Sequence, residues 1–560
     1  MLLRLSPAIT LIVLAVPITL GIVCTILPAF GIFSAIGGTS LSLHGWRELF
    51  ATPGFPTALR LAFTTGVLAT ALSLLFAIGF CATTAQRPAF LFLRRWLAPL
   101  LASPHSTMAL GFAFLVMPSG WLMRLLSPWA TGFDRPPINL VTVQDPFGLT
   151  LVSGLILKET PYLILMILAA SAQIPVDRTL SAACALGQRP AVAWLKAIFP
   201  QIYPQIRLPI FAVLAFALSV VDVALILGPS SPPPLAVLAT RWFANYDLGL
   251  YFLAAAAATL QLVLVISCIG IWRTAEVPLA NAARYWIERG APDRLSGHLV
   301  RVASTGAIVV GALGLLSLLG MGLWSVAKAW RFPDDFPSGW QIDLLVRHAD
   351  QILASAGTTC VIGALSVLVA LVLTLACLEN EQRRGLRPGT VALWLLYMPL
   401  LVPQIAFLFG VQTLLIRMDL DGTLIAVVWV HVIFVLPYVF LSLAEPFRAL
   451  DPHYAASAAA LGAKPCRIFV AIKLPLLTRS ILVAAAVGFA VSVGQYLPTL
   501  FAGAGRVVTL TTEAVTLAGG ADRRIIGTLA LVQSALPLTV YGVALAVPAI
   551  LFRNRRELSI

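Results

Sequence analysis

Ser181-Ala182-Ala183-Cys184-Ala185-Leu186-Gly187, followed by Pro190 and then Ala197-Ile198-Phe199-Pro200, is a stretch that this chain writes twice. The second copy reads Ala456-Ser457-Ala458-Ala459-Ala460-Leu461-Gly462, followed by Pro465 and then Ile472-Lys473-Leu474-Pro475. In both, the prolines stand 3 and 13 residues after the glycine, and the copies lie 275 residues apart. The match extends outward. Pro161-Tyr162 answers Pro437-Tyr438 upstream, and Ser219-x-x-Asp222 answers Ser492-x-x-Gln495 downstream. Self-similarity at a fixed interval is the mark of a structural unit used more than once.

Composition says what kind of unit this is. The 560 residues are 59 % hydrophobic and only 11 % charged, with a mean hydropathy of +0.95. A soluble chain carries about 25 % charged residues, so a soluble enzyme, a disordered chain and a disulfide scaffold are excluded. A span needs roughly 20 apolar residues, and exposed sheet edges cannot face lipid. The expectation is an all-α polytopic membrane protein.

Twelve apolar runs fit that expectation, near 7–33, 58–83, 97–117, 148–174, 208–229, 251–272, 302–327, 353–378, 389–416, 424–446, 480–502 and 526–552. The first exceeds the 7–15 apolar residues of a signal peptide and reads as a retained span. The chain divides into a first module over 1–275, a basic cytoplasmic linker over 276–300 and a second module over 301–560. Six spans per module make the repeats parallel. With both termini inside, cytoplasmic segments hold 24 of the 37 Lys and Arg, as positive-inside topology requires. The net charge of +14 is therefore a topology signal, and a nucleic-acid partner is excluded. The seven cysteines form no CxxC pair and read as small hydrophobes.

The repeated loops, near 177–207 and 451–479, have a definite shape. An Ala-rich segment favours helix, a glycine closes it with positive φ, and a proline three residues on suits the first turn of the next helix. The result is a short helix–turn–helix with small side chains on its first helix, where another surface can approach closely.

This pattern resembles the EAA motif of binding-protein-dependent ABC importer permeases: Glu-Ala-Ala, three residues, Gly, nine residues, Ile-x-Leu-Pro. Leu186-Gly187, Pro200, Leu461-Gly462 and Ile472-x-Leu474-Pro475 match it, while Ser181 and Ala456 stand where the motif has Glu and Ser457 where it has Ala. Within that family the strings Ser219–Pro229, Gln495–Leu500 and Leu510–Val515 resemble YnjC-like permeases, which are similar to the fused permeases for thiamine and ferric iron. The resemblance implies a type I importer fold of two six-helix modules in a bacterial inner membrane. It also implies a separate cytoplasmic ATPase, present in two copies and carrying ATP and Mg, and an extracytoplasmic solute-binding protein. The ATPase-coupling residues it implies are Ser181, Ala182, Ala183, Leu186, Gly187, Pro190 and Pro200, with Ala456, Ser457, Ala458, Leu461, Gly462, Pro465 and Pro475.

No phosphate-binding loop, zinc-protease motif or nucleophile elbow occurs in the sequence, so no catalytic residue, metal ligand or cofactor of its own is expected. The solute path is expected at Asp222, Gln495, Ser219 and Ser492. Asp222 falls within a span, where an ionisable group costs several kcal/mol. It either faces solute or holds helices together, with Lys158 a conceivable partner. Lys158 and Glu159 are adjacent and do not share a helix face. His105 and His431, also within spans, either line the path or satisfy packing. The competing reading is an ion-coupled secondary transporter of twelve helices. It offers no reason for two matched Gly-x-x-Pro loops.

Overall fold

A computed structural model describes residues 2–84, 97, 99–289 and 294–551. The expected cytoplasmic cations Arg87, Arg94, Arg95, Arg553, Arg555 and Arg556 lie outside the described residues, as do 290–293 of the expected linker. The first half contains α1 (Leu2–Ala29), α2 (Phe55–Thr84), α3 (His105–Val116), α4 (Leu149–Ser171), α5 (Val176–Ala185), α6 (Phe199–Ser219), α7 (Asp222–Leu227) and α8 (Leu250–Glu288). The second contains α9 (Arg294–Val326), α10 (Ala349–Arg384), α11 (Thr390–Leu401), α12 (Ile405–Arg417), α13 (Leu424–Arg448), α14 (Pro452–Ala460), α15 (Thr478–Val493), α16 (Leu497–Gly503) and α17 (Arg523–Leu551). Shorter helices connect these, and one antiparallel pair of strands joins Ala327–Ala329 to Gly339–Trp340. Among the described residues ten helices are long and apolar enough to cross a membrane, or up to twelve if bent pairs count as one span.

Several expected spans are broken, and the sequence around each break says why. α11 and α12 meet at 94°. Val402 is extended there, as the residue before a proline prefers. The expected span 208–229 stops at Ser219 and restarts at Asp222. Val220 is extended, β-branched valines occupy the gap, and Asp222 opens the helix that restarts. The span expected over 480–502 breaks at the matching place, between Val493 and Leu497, with Pro498 in the first turn of α16. By contrast α8 runs unbroken for 39 residues, about 58 Å at 1.5 Å per residue. It outruns a ~30 Å hydrocarbon layer and carries the expected linker as helix to Glu288.

The halves are interlocked. α1 packs on α12 and α10 of the second half, and α9 packs on α2 and α3 of the first. The α1–α12 and α9–α3 crossings are backbone-to-backbone approaches that only glycine permits. A Cβ on Gly21 would sit 2.6 Å from the Phe407 carbonyl oxygen, and one on Gly410 would overlap the Gly21 carbonyl. A Cβ on Gly111, which stands seven residues after Pro104 as Gly410 does after Pro403, would lie 2.7 Å from the Ser317 carbonyl oxygen. Thr25 seals the first crossing: its hydroxyl donates to the Gly21 carbonyl at 2.9 Å and accepts from the Gly410 N–H at 3.1 Å.

Overpacking a closed contact costs about 1–3 kcal/mol or more. Gly410→Val should therefore lower the thermal-unfolding midpoint of the purified chain by several degrees. Gly311→Val, where nothing lies within 4 Å of the added carbon, should leave it within a degree. Equal midpoints for the two variants would refute the interlocked crossing.

Candidate site: repeated loops and the seam between the halves

The two repeated loops have the same backbone. α5 is capped by Leu186 and Gly187 has φ +83°; α14 is capped by Leu461 and Gly462 has φ +80°. The closing hydrogen bonds match as well. Gly187 and Gln188 donate to the Cys184 and Ala183 carbonyls, and Gly462 and Ala463 to those of Ala459 and Ala458. Nothing lies within 4 Å of a Cβ on either glycine, so backbone sign and not space demands glycine here. Pro190 and Pro465 each open a short helix. A five-residue π turn follows in both copies, Trp194–Ile198 and Phe469–Lys473. Pro200 and Pro475 then sit in the first turn of the next helix.

Ser181, Ala182, Gly187, Pro190 and Pro200 are exposed, as are Ala456, Ser457, Gly462, Pro465 and Pro475. Ala183 is half-buried and Ala458 buried. Leu186 and Leu461, at the loop tips, are 84 % and 89 % exposed. A leucine presented to solvent at both equivalent tips is apolar surface with no use inside this chain.

The fastenings behind the loops differ. Behind the first, Glu276 on α8 accepts from the Tyr203 hydroxyl at 2.9 Å, Arg207 Nε at 3.2 Å and Arg273 at 2.9 Å. Lys196 of the first π turn stands 4.7 Å over the Trp286 ring. Behind the second, buried Lys473 donates to Glu379 at 2.7 Å and Gln382 at 2.6 Å. Arg383 bonds Glu379 at 2.6 Å and the Pro465 carbonyl of the loop at 3.1 Å. Arg448 grips both oxygens of Glu381, at 2.8 and 3.1 Å. Sequence reasoning passed over Glu276, Glu379 and Glu381. In a chain with only 23 Asp and Glu, an acid at the end of an apolar run is a signal in itself. At the start of α14, the backbone and ring of His453 hold the N-cap Asp451 carboxylate below its usual range.

At the seam, Asp222 is 9 % exposed, within electrostatic reach of His105 in its own half and Tyr496 in the other. Lys158 is not its partner. The Lys158 ammonium donates to the carbonyls of Leu100, Leu101 and Ser103, the chain just before Pro104. Glu159 instead meets His105 Nε2 at 3.2 Å. His431 is a packing residue, bridging the Ser492 hydroxyl at 2.8 Å and the Thr499 hydroxyl at 2.9 Å across the α15–α16 break. Ser219 donates to the Ala215 carbonyl. Of the four expected path residues, Ser219, Asp222 and Gln495 lie at the breaks, and both serines are engaged within their own half. Gly494, beside Gln495, abuts Pro104, beside His105. Among the described residues no three His, Cys, Asp or Glu side chains are grouped to hold a metal ion.

No family model matches the sequence. The chain is 30 % identical over 514 residues, 90 % of each chain, to the inner membrane ABC transporter permease protein YnjC of Escherichia coli (strain K12). It is also 30 % identical over 192 residues to the molybdenum transport system permease protein ModB of Mycobacterium bovis and of Mycobacterium tuberculosis. Those matches cover 32 % of this chain and 70 % of theirs.

Removing one partner of a buried ion pair costs about 3–5 kcal/mol, whereas replacing both by apolar groups is often neutral. Glu379→Gln should accordingly lower thermal stability markedly, and Glu379→Leu combined with Lys473→Met should recover most of the loss. A single variant as stable as the parent would remove Lys473–Glu379 as the clamp on the second loop.

Proposed function

The chain belongs to the membrane permease subunits of ABC importers, and from that premise we propose that each repeated loop seats one copy of a separate ATP-binding subunit. A single chain then does the work of a permease pair. The observation that carries this reading is the duplication itself: two loops with one backbone, each ending in a positive-φ glycine and an exposed leucine, on an interlocked frame. In this reading Ser181, Ala182, Ala183, Leu186, Gly187, Pro190 and Pro200 form one coupling surface. Ala456, Ser457, Ala458, Leu461, Gly462, Pro465 and Pro475 form the other. ATP and Mg bind on the partner, and the loops face the cytoplasm together with both termini, which the cation bias supports. The modules are 1–275 and 301–560.

The alternation of access follows mechanically. Closure of two ATPase subunits draws the loops together. Each loop is tied by buried polar groups to long helices, so its displacement moves α8 and α10, and the seam opens or closes between α7 and α16. Asp222 and Gln495 sit on the walls of that passage. Solute arrives from a solute-binding protein on the far side.

A β-branched residue forced into positive φ is strained by roughly 1–2 kcal/mol, and the turn aiming Leu461 would reshape. Gly462→Val should insert normally yet lose most solute-stimulated ATP hydrolysis by the reconstituted complex, and Gly187→Val should do the same. Full stimulation in both would make the loops ordinary connectors. Uptake driven by an ion gradient without ATP would favour the secondary-transporter reading.

A further inference from the structure

We propose that the seam between the halves, at the level of the broken spans, is a cation-binding station, so that the solute carried is positively charged. This rests on the permease reading above and names the solute class for the same passage. Two buried carboxylates, Asp222 and Glu159, stand there inside the membrane-spanning region. Three phenols stand within electrostatic reach of them. Tyr162 and Tyr438, equivalent residues of the two halves, lie within reach of Glu159, and Tyr496 within reach of Asp222. His105 bonds Glu159 and keeps about a third of its side chain exposed. Tyr162, Tyr438, Gln495 and Tyr496 are likewise only partly buried.

The duplication supplies an internal control. Counted from matching prolines, His105 after Pro104 corresponds to Gln404 after Pro403, and Glu159 before Pro161 corresponds to Val435 before Pro437. Asp222 corresponds to Gln495. At all three positions the second half carries an amide or an alkyl group in place of a titratable one, and its own break is bridged by His431 instead. Carboxylates inside a membrane are costly and mark sites of function. Lys158, the nearby cation, spends its donors on the three backbone carbonyls of Leu100, Leu101 and Ser103.

Two carboxylates repel an oxyanion and attract a cation. Phenol rings add attraction for a cation over their faces, which suits an organic ammonium or a cationic ring. Among the described residues no group of ligands of the kind a metal ion needs stands here.

The test uses the full chain in lipid nanodiscs with native cysteines changed to alanine and Gln495→Cys introduced. Modification rates are measured with a trimethylammonium-ethyl and a sulfonato-ethyl methanethiosulfonate, and the cation/anion ratio is compared with that at native Cys466, an exposed loop position, retained alone. The ratio at Gln495→Cys should exceed that at Cys466 by roughly tenfold or more. Asp222→Asn should cut it by about as much, and Glu159→Gln should cut it too. A ratio equal to that at Cys466, a ratio unmoved by both substitutions, or no reaction with either reagent overturns the proposal. If Asp222→Asn does not fold, the comparison with Cys466 and the Glu159→Gln variant still decide. Because no ATP hydrolysis is read, charge preference without coupling would sink the importer mechanism alone, and coupling without charge preference would sink only this inference.

Discussion

The structure depends on two glycine crossings. At Gly21–Gly410 and Gly111–Ser317 a first helix of one half lies backbone-to-backbone on a helix of the other. Lipid is as apolar as leucine, so helices in a membrane gain little from hiding hydrophobic surface and associate through close packing and hydrogen bonds. A crossing without side chains, sealed by a threonine hydroxyl, gives both. It makes the halves one body. Everything described at the seam needs that, because Asp222, Tyr162, Tyr438 and Tyr496 come from helices of different halves and would otherwise have no fixed relation.

Duplication gives a common scaffold, and the side chains break its symmetry where work is done. The repeated loops share φ values, turn hydrogen bonds and a π turn, a local strain feature often found at functional sites. Their anchors are unrelated. Glu276 on a helix extending past the apolar layer holds the first, and the Glu379–Lys473–Arg383 network holds the second. A homodimer cannot differentiate its two loops in this way, whereas a fused chain can.

Much of this was legible in the sequence, for physical reasons that also explain what was not. The twelve apolar runs all correspond to helical segments because hydrocarbon leaves the backbone no alternative. The glycine–proline spacing disclosed the loop turns, since positive φ and a helix first turn each have a preferred residue. The breaks at Ser219–Asp222 and Val493–Leu497 went unseen because one Asp222 or Gln495 hardly lowers the hydropathy of a run that long, and hydropathy does not register a helix restart. Lys158 was matched with the wrong group, because carbonyls freed by Pro104 leave no mark in a sequence. The exchange of first helices is equally silent. It resides in where glycines meet, and a glycine in an apolar run looks the same whether it faces lipid or another backbone.

The central claim is that one chain carries both docking loops of an importer, and subunit stoichiometry tests it most directly. Native mass spectrometry of the complex captured with the cognate ATP-binding subunit in nanodiscs should give one permease chain with two ATPase chains. A stable assembly of two permease chains with two ATPases would contradict it, since each chain would then use a single loop.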